Sequence, residues 1–126
     1  MSYHIQYLKN GGVVTDYSGI VTDDDVIESA KERLASDTRI KSYRYFISDF
    51  SEVDEFEVTS RGVESTAQMA VRASKQNHNI LLAVVLPTDL EFGMGRMWQT
   101  LVSEDVDLEI RVYKEESEAL SWIKGS

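Results

Sequence analysis

The run Ile80-Leu81-Leu82-Ala83-Val84-Val85-Leu86 constrains the fold of this chain more than any other stretch. A strand open to water on one face alternates apolar and polar side chains, so an unbroken apolar run of this length fits a strand covered on both faces. Such strands lie inside parallel or mixed sheets with helices packed around them. The run is far shorter than the roughly 20 residues a helix needs to cross a bilayer. Pro87, the only proline, follows directly and ends the strand because it cannot donate to a ladder.

The flanking patterns supply the rest of the sheet. Tyr43 to Phe50 reads as a second inner strand, rich in aromatic and β-branched residues. It ends on a polar lip at Asp49 and Ser51, where the chain is expected to turn, and Ser51 to Glu57 reads as an acidic loop. At the start, Tyr3, Ile5 and Tyr7 alternate with polar residues. Asn10-Gly11-Gly12 then provides a turn, and Val13 to Tyr17 completes a hairpin that Gly19 ends. Leu108, Ile110 and Val112 alternate with Glu109, Arg111 and Tyr113, the pattern of a strand exposed on one side and near an edge.

Between the strands the period changes to that of helices. Thr22 can cap a helix whose Asp23, Asp24 and Asp25 suit the positive helix end and whose Val26, Ile27, Ala30 and Leu34 face a core while Lys31, Glu32 and Arg33 face mostly outward, with an end near Ser36 and a connection over Asp37 to Ser42. Thr59 or Ser60 can cap a second, which turns Val63, Ala67, Ala70, Val71 and Ser74 to one side. Thr88 and Asp89 open a third, striped by Met94, Met97, Trp98, Leu101 and Val102 and weakened by Gly93 and Gly95. A last helix is expected to bury Ala119, Leu120 and Ile123 and to end at Gly125. The order ββαβαβαβα, with about four helices, predicts an α/β fold with a mixed sheet. With no internal repeat or linker, residues 1–126 read as one domain.

Composition narrows the function. The net charge of −9, from 13 basic and 22 acidic residues, repels phosphate backbones and anionic lipid surfaces, so neither nucleic acid nor membrane insertion is expected. The absence of cysteine removes disulfide scaffolds and thiolate metal sites. The start lacks the basic-then-apolar layout of a signal peptide, which favours a cytoplasmic protein.

No catalytic motif, cofactor motif or metal set accompanies this layout. His4 and His78 have no partner at metal-ligand spacing, and Glu52, Asp54, Glu55 and Glu57 lack the glycine-centred spacing of a calcium loop. Asp49, Thr88 and Lys114 follow the order of a phosphoacceptor receiver. That chemistry needs acids after the first strand, where Lys9-Asn10-Gly11 stands instead. The candidate binding residues are Asp49 and Ser51 at a strand end, where ligands dock on open α/β sheets, and Thr59 and Ser60 at a helix start, where free amides favour anions. Phe92, Met94, Arg96 and Trp98 complete the set, in a segment able to frame an apolar pocket or partner surface. Each also has a plain structural role open to it: turn hydrogen bonding for the first pair, capping for the second and core packing for the third. Self-association as a homodimer through an edge strand or an exposed aromatic is left open.

The element order, together with Asp49-Phe50-Ser51-Glu52-Val53, Arg96-Met97 and Glu118-Ala119-Leu120-Ser121-Trp122-Ile123, resembles the SpoIIAA-like group of STAS domains over nearly the whole chain. It is most similar to an uncharacterised STAS/SEC14-like branch. The resemblance implies a mixed sheet with helices around it, no enzymatic activity, and a regulatory role in binding a protein partner or a small, partly apolar ligand. In the anti-sigma-factor antagonists of that family a kinase phosphorylates a hydroxyl at a helix start. The corresponding stretch is Glu57-Val58-Thr59-Ser60-Arg61-Gly62, which departs from the family pattern in its Glu, its spacing and its Arg61.

Overall fold

The computed structural model describes residues 2–126. Strands β1 (Tyr3–Tyr7) and β2 (Gly12–Thr22) lead into helices α1 (Asp23–Arg33) and α2 (Asp37–Ile40). There follow β3 (Tyr45–Glu57), α3 (Ser60–Ser74), β4 (Leu81–Val85), α4 (Asp89–Asp105), β5 (Glu109–Tyr113) and α5 (Glu116–Lys124). The sheet runs β1-β2-β3-β4-β5 in chain order, with β1 antiparallel to β2 and every other pair parallel. This is the mixed α/β sheet expected from the sequence, with α2 added where a plain connection was read.

Chain order across the sheet decides where the helices go. Parallel neighbours are joined by right-handed crossovers, and when each crossover steps the same way the connecting helices fall on one face. Accordingly Val13, Phe46, Leu82 and Ile110 of four strands pack with Ala67 and Ala73 of α3 and Val102 of α4. The alternate residues Tyr45, Ile47, Ala83 and Val85 point the other way and pack with Ala119, Trp122 and Ile123 of α5. β4 is paired on both sides and buried on both faces, as its continuous apolar run requires.

Local signals set most element ends. Thr22 caps α1 reciprocally: its side chain accepts from the Asp25 amide while Asp25 accepts from the Thr22 amide at 2.8 Å. Thr88 caps α4 by accepting from the Glu91 amide at 3.2 Å. Three boundaries differ from the sequence reading. α1 stops at Arg33, short of Ser36. β2 passes through Gly19, which takes φ +68° and sits at a register shift in the β2–β3 pairing, so this glycine bends the strand instead of ending it. β3 does not turn at Asp49 and Ser51 but continues to Glu57, paired with β2 alone after Asp49 has met its last β4 partner, Val85. The stretch expected as an acidic loop is thus half of a two-stranded ribbon, whose Val21, Val53 and Phe56 join the core while its carboxylates stay exposed. In α5, Leu120 is 42% exposed and Trp122 packs in its place, against Tyr113 with ring centroids 6.4 Å apart.

The two glycines of α4 have opposite roles. A methyl group on Gly95 would run into the buried Leu86 side chain and Val112, whereas one on Gly93 would meet nothing. Gly95→Ala is expected to lower stability by about 1–3 kcal/mol through overpacking, and Gly93→Ala to raise it by up to about 1 kcal/mol by removing backbone freedom from the unfolded chain. Urea unfolding of the two variants checks the opposite signs.

Candidate functional site

On the helix-covered face the core falls into two clusters, one around Phe46, Ile80 and Leu82 and one around Tyr17, Phe50 and Leu86. A cavity of about 120 Å³, partly open to solvent, takes its lining from both and is almost wholly apolar. Its floor includes Ser48 of β3 and Val84 of β4, which remain only half buried although they lie on the two innermost strands under the helices. Its walls include Ala30 of α1, Ala70 and Ala73 of α3, and Met94, Gly95 and Trp98 of α4. The space exists because the helices present small residues where larger ones would reach the sheet.

One cation lines this apolar space. Arg33, the last residue of α1, donates from a terminal nitrogen to the Thr15 hydroxyl at 3.1 Å and to the Tyr17 hydroxyl at 3.2 Å. The second contact belongs to an ordered chain. The Ser29 hydroxyl donates to the Val26 carbonyl at 3.0 Å, which leaves its oxygen to accept from Tyr17 and the Tyr17 oxygen to accept from Arg33. The guanidinium lies 6.0 Å from the Phe46 ring centroid. Its Nε is sealed from solvent without a hydrogen-bond acceptor, and among the described residues no carboxylate pairs with it.

The opposite face carries an acidic cluster. Asp16 and Asp49 are register partners on β2 and β3, and their carboxylate oxygens lie within 4.8 Å of one another and of that of Glu116 in the first turn of α5. A hydrogen bond to Asp49, then burial, then the charges of Asp49 and Asp16 push the Glu116 carboxyl up to about 7. Burial, reinforced by the charge of Asp49, also raises Asp16. Fully ionised, these oxygens form the kind of hard donor set a divalent cation takes; with a proton on Glu116 the repulsion is relieved internally.

A third polar arrangement joins the starts of α1 and α3. The Thr59 amide and hydroxyl both donate to the buried Asp23 carboxylate, the amide at 2.7 Å, and Arg61 lies 3.5 Å from it. Burial alone would raise the Asp23 carboxyl, but these hydrogen bonds and the Arg61 charge hold it below the usual carboxylate range. A side chain on Gly62 would strike Asp23, so this glycine lets the carboxylate reach the helix start.

The structure therefore distributes the candidate residues over separate places. Met94 and Trp98 line the cavity. Asp49 lies on the α5 face, within a strand and not at its carboxyl end, and accepts from the Ser51 amide at 2.9 Å and from the Ser51 hydroxyl. Thr59 and Ser60 are exposed at the start of α3, where Thr59 is bound to Asp23 and makes no side-chain cap. Arg96 is exposed, and Phe92 is half buried with the Lys114 ammonium 5.5 Å from its ring centroid. Asp49, Thr88 and Lys114 do not converge as in a receiver: Lys114 pairs with Asp89 and Thr88 with Glu91. Arg33, expected to face outward with Lys31 and Glu32, is half buried and lines the cavity, and Glu116 had no role in the sequence expectation. Arg33 was findable, because it continues the spacing of Val26 and Ala30 along one face of α1.

No family model and no curated protein matches the chain. Among solved structures it is similar to the anti-sigma factor antagonist SpoIIAA in its unphosphorylated form, at 17% identity and a TM-score of 0.63, over 98% of this chain and 99% of that one. It is also similar to the phosphorylated form of SpoIIAA, the Bacillus cell fate determinant, at 17% identity and a TM-score of 0.57, over 96% and 98% of the two chains. The chain thus has the SpoIIAA-like, STAS-like fold that its motifs suggested. No helix among the described residues is long and apolar enough to cross a membrane.

The acidic cluster makes a pH prediction. Glu116 titrates near 7 in the folded protein against an ordinary 4.5, so its contribution to stability is full below about pH 4.5 and is lost as pH rises through about 7. Glu116→Gln is expected to flatten this loss. At pH 8 it should stabilise the protein by about 1 kcal/mol, a figure reduced for solvent screening because the side chain is exposed. Urea melts of both proteins at pH 5 and pH 8 test this, and an unchanged difference between the two pH values would refute it.

Proposed function

We propose that residues 1–126 act as one cytoplasmic regulatory module without catalytic activity of its own, and that it works by taking up a small, partly apolar ligand in the cavity between the sheet and helices α1, α3 and α4. The observation that carries this reading is the cavity itself. Native cores hold few voids larger than a water molecule, and this apolar space of about 120 Å³ leaves the Phe46, Val84 and Trp98 side chains without packing partners on one side. A ligand that fills the space restores those contacts and stabilises the folded state by mass action. Three helices contact the cavity, so occupancy is sensed on the outer surface of the domain. The likeness to an anti-sigma factor antagonist supports a protein partner as the reader of that surface.

A phosphorylation-switched regulator is the second reading, and the exposed Ser60 in the first turn of α3 favours it. Thr59 is the weaker acceptor, since its hydroxyl is already donated to Asp23 and a phosphate there would face that carboxylate. Thr59→Ala is expected to lower stability by about 1 kcal/mol and to leave ligand uptake intact, whereas Ser60→Ala should change neither. A phosphate mapped to Ser60 in protein purified from its own cells, with partner binding lost in Ser60→Ala, would replace the ligand reading by the switch.

The leading reading is tested with 1-hexanol, a neutral probe of suitable size. It should raise the melting temperature of the protein in a concentration-dependent way. Val84→Phe, which projects a ring into the cavity, should keep the fold and abolish the shift. A melting temperature that hexanol leaves unchanged, or a Val84→Phe protein that responds like the original, would overturn it.

A further inference from the structure

The cavity's chemistry specifies its ligand more narrowly. We infer that the ligand is a small monocarboxylate with an apolar body of about six carbons, whose carboxylate pairs with Arg33 while the body lies between the sheet and α3 and α4. The inference rests on the cavity reading given above and adds the charge of the ligand to it.

The observations are independent of one another. An apolar cavity of roughly 150 Å³ accommodates one benzene-sized molecule, so 120 Å³ suits a six-carbon body. Burying a cation beside such a space is unfavourable unless an anion or a set of acceptors compensates it. Here the compensation is incomplete. The hydroxyls of Thr15 and Tyr17 occupy one terminal nitrogen of Arg33, no carboxylate of the described residues pairs with it, and its sealed Nε has no acceptor. In a chain with an excess of acids, a half-buried arginine without a carboxylate partner is a gap that an incoming anion can fill.

The surroundings extend that polar end. Ser48 lies directly across from Thr15 in the β2–β3 register, lines the cavity, and makes no side-chain hydrogen bond among the described residues. Its hydroxyl can donate to the same carboxylate. By contrast, the hydroxyls of Thr66 and Ser74, which also line the cavity, already donate to carbonyls of their own helix. The second terminal nitrogen of Arg33 makes no hydrogen bond among the described residues, so a carboxylate there gains a charge-assisted hydrogen bond that a lone hydroxyl does not. The overall negative charge repels anions at long range, so attraction of the carboxylate depends on the local charge of Arg33.

The test compares hexanoate with 1-hexanol on the full chain by calorimetric titration. The two share an apolar body and differ in the head group. Hexanoate should bind at least about tenfold more tightly than hexanol, the margin expected of a charge-assisted hydrogen bond over a neutral one. In Arg33→Met, which keeps most of the side-chain volume, the preference should disappear while hexanol still binds; Arg33→Lys should retain part of it. If hexanol binds as well as or better than hexanoate to the unmodified protein, the carboxylate inference is overturned and the cavity reading stands. If neither binds, both fall. The comparison on the unmodified protein decides the question even if Arg33→Met fails to fold. If Arg33→Met folds and keeps the preference for hexanoate, the assignment to Arg33 is wrong.

Discussion

The parallel pairing of β2 with β3 is the constraint on which the rest of this structure depends. Its register sets Thr15 beside Ser48 and Asp16 beside Asp49, so one hydroxyl holds Arg33, the next lines the cavity, and carboxylates from both strands face α5. Side chains alternate along a strand, and a slip of one residue in either strand would carry a carboxylate under the helices and a hydroxyl away from them. Apolar partners hold the register on both faces: Val13, Phe46 and Tyr17 on one, Val14, Tyr45 and Ile47 on the other. The chemistry of each face is therefore a consequence of a single alignment.

The two faces differ in how they are covered. Behind the sheet a single helix, α5, closes a small cluster with Ala119 at its centre, and its first turn brings Glu116 onto the aspartates. In front, three helices span a wider surface, and the alanines and Gly95 that let them approach one another leave the sheet incompletely filled. Arg33 reaches the resulting space because α1 ends there and because the Tyr17–Ser29–Val26 chain gives its head group a fixed set of acceptors. Packing and polarity at this point are therefore not separable: Tyr17, which holds the arginine, also lines the gap.

Much of the fold was legible in the chain. The Ile80–Leu86 run identified the strand buried on both faces, and Thr22 and Thr88 cap the helices their positions suggested. The end of β3 was not legible, because Glu52, Asp54, Glu55 and Glu57 read as a solvated loop, and the register shifts put Phe50, Val53 and Phe56 out of the strict alternation that marks a strand. Asp49 and Ser51 do make the local hydrogen bonds that usually signal a turn, but they make them next to a register shift inside the strand. Of the candidate site, the segment from Met94 to Trp98 was found from its apolar residues. Arg33 was assigned to the outer face with its charged neighbours Lys31 and Glu32, because a long side chain with a polar tip does not register as a core position. Glu116 depends on a contact between elements far apart in sequence, which no local pattern encodes.

The ribbon formed by the far ends of β2 and β3 has a mechanical consequence. Thr22 and Glu57 are register partners, so the two strands finish side by side, and α1 and α3 begin one and three residues later. Asp23, the first residue of α1, is then tied to Thr59, immediately before α3, and approached closely by Gly62. The two helices that wall one side of the cavity are thus rooted in a common base and joined at that base by a charged clasp. A tilt imposed on either root is transmitted to the other, and because α3 packs on α4 as well as on α1, all three walls of the cavity are mechanically linked to that base.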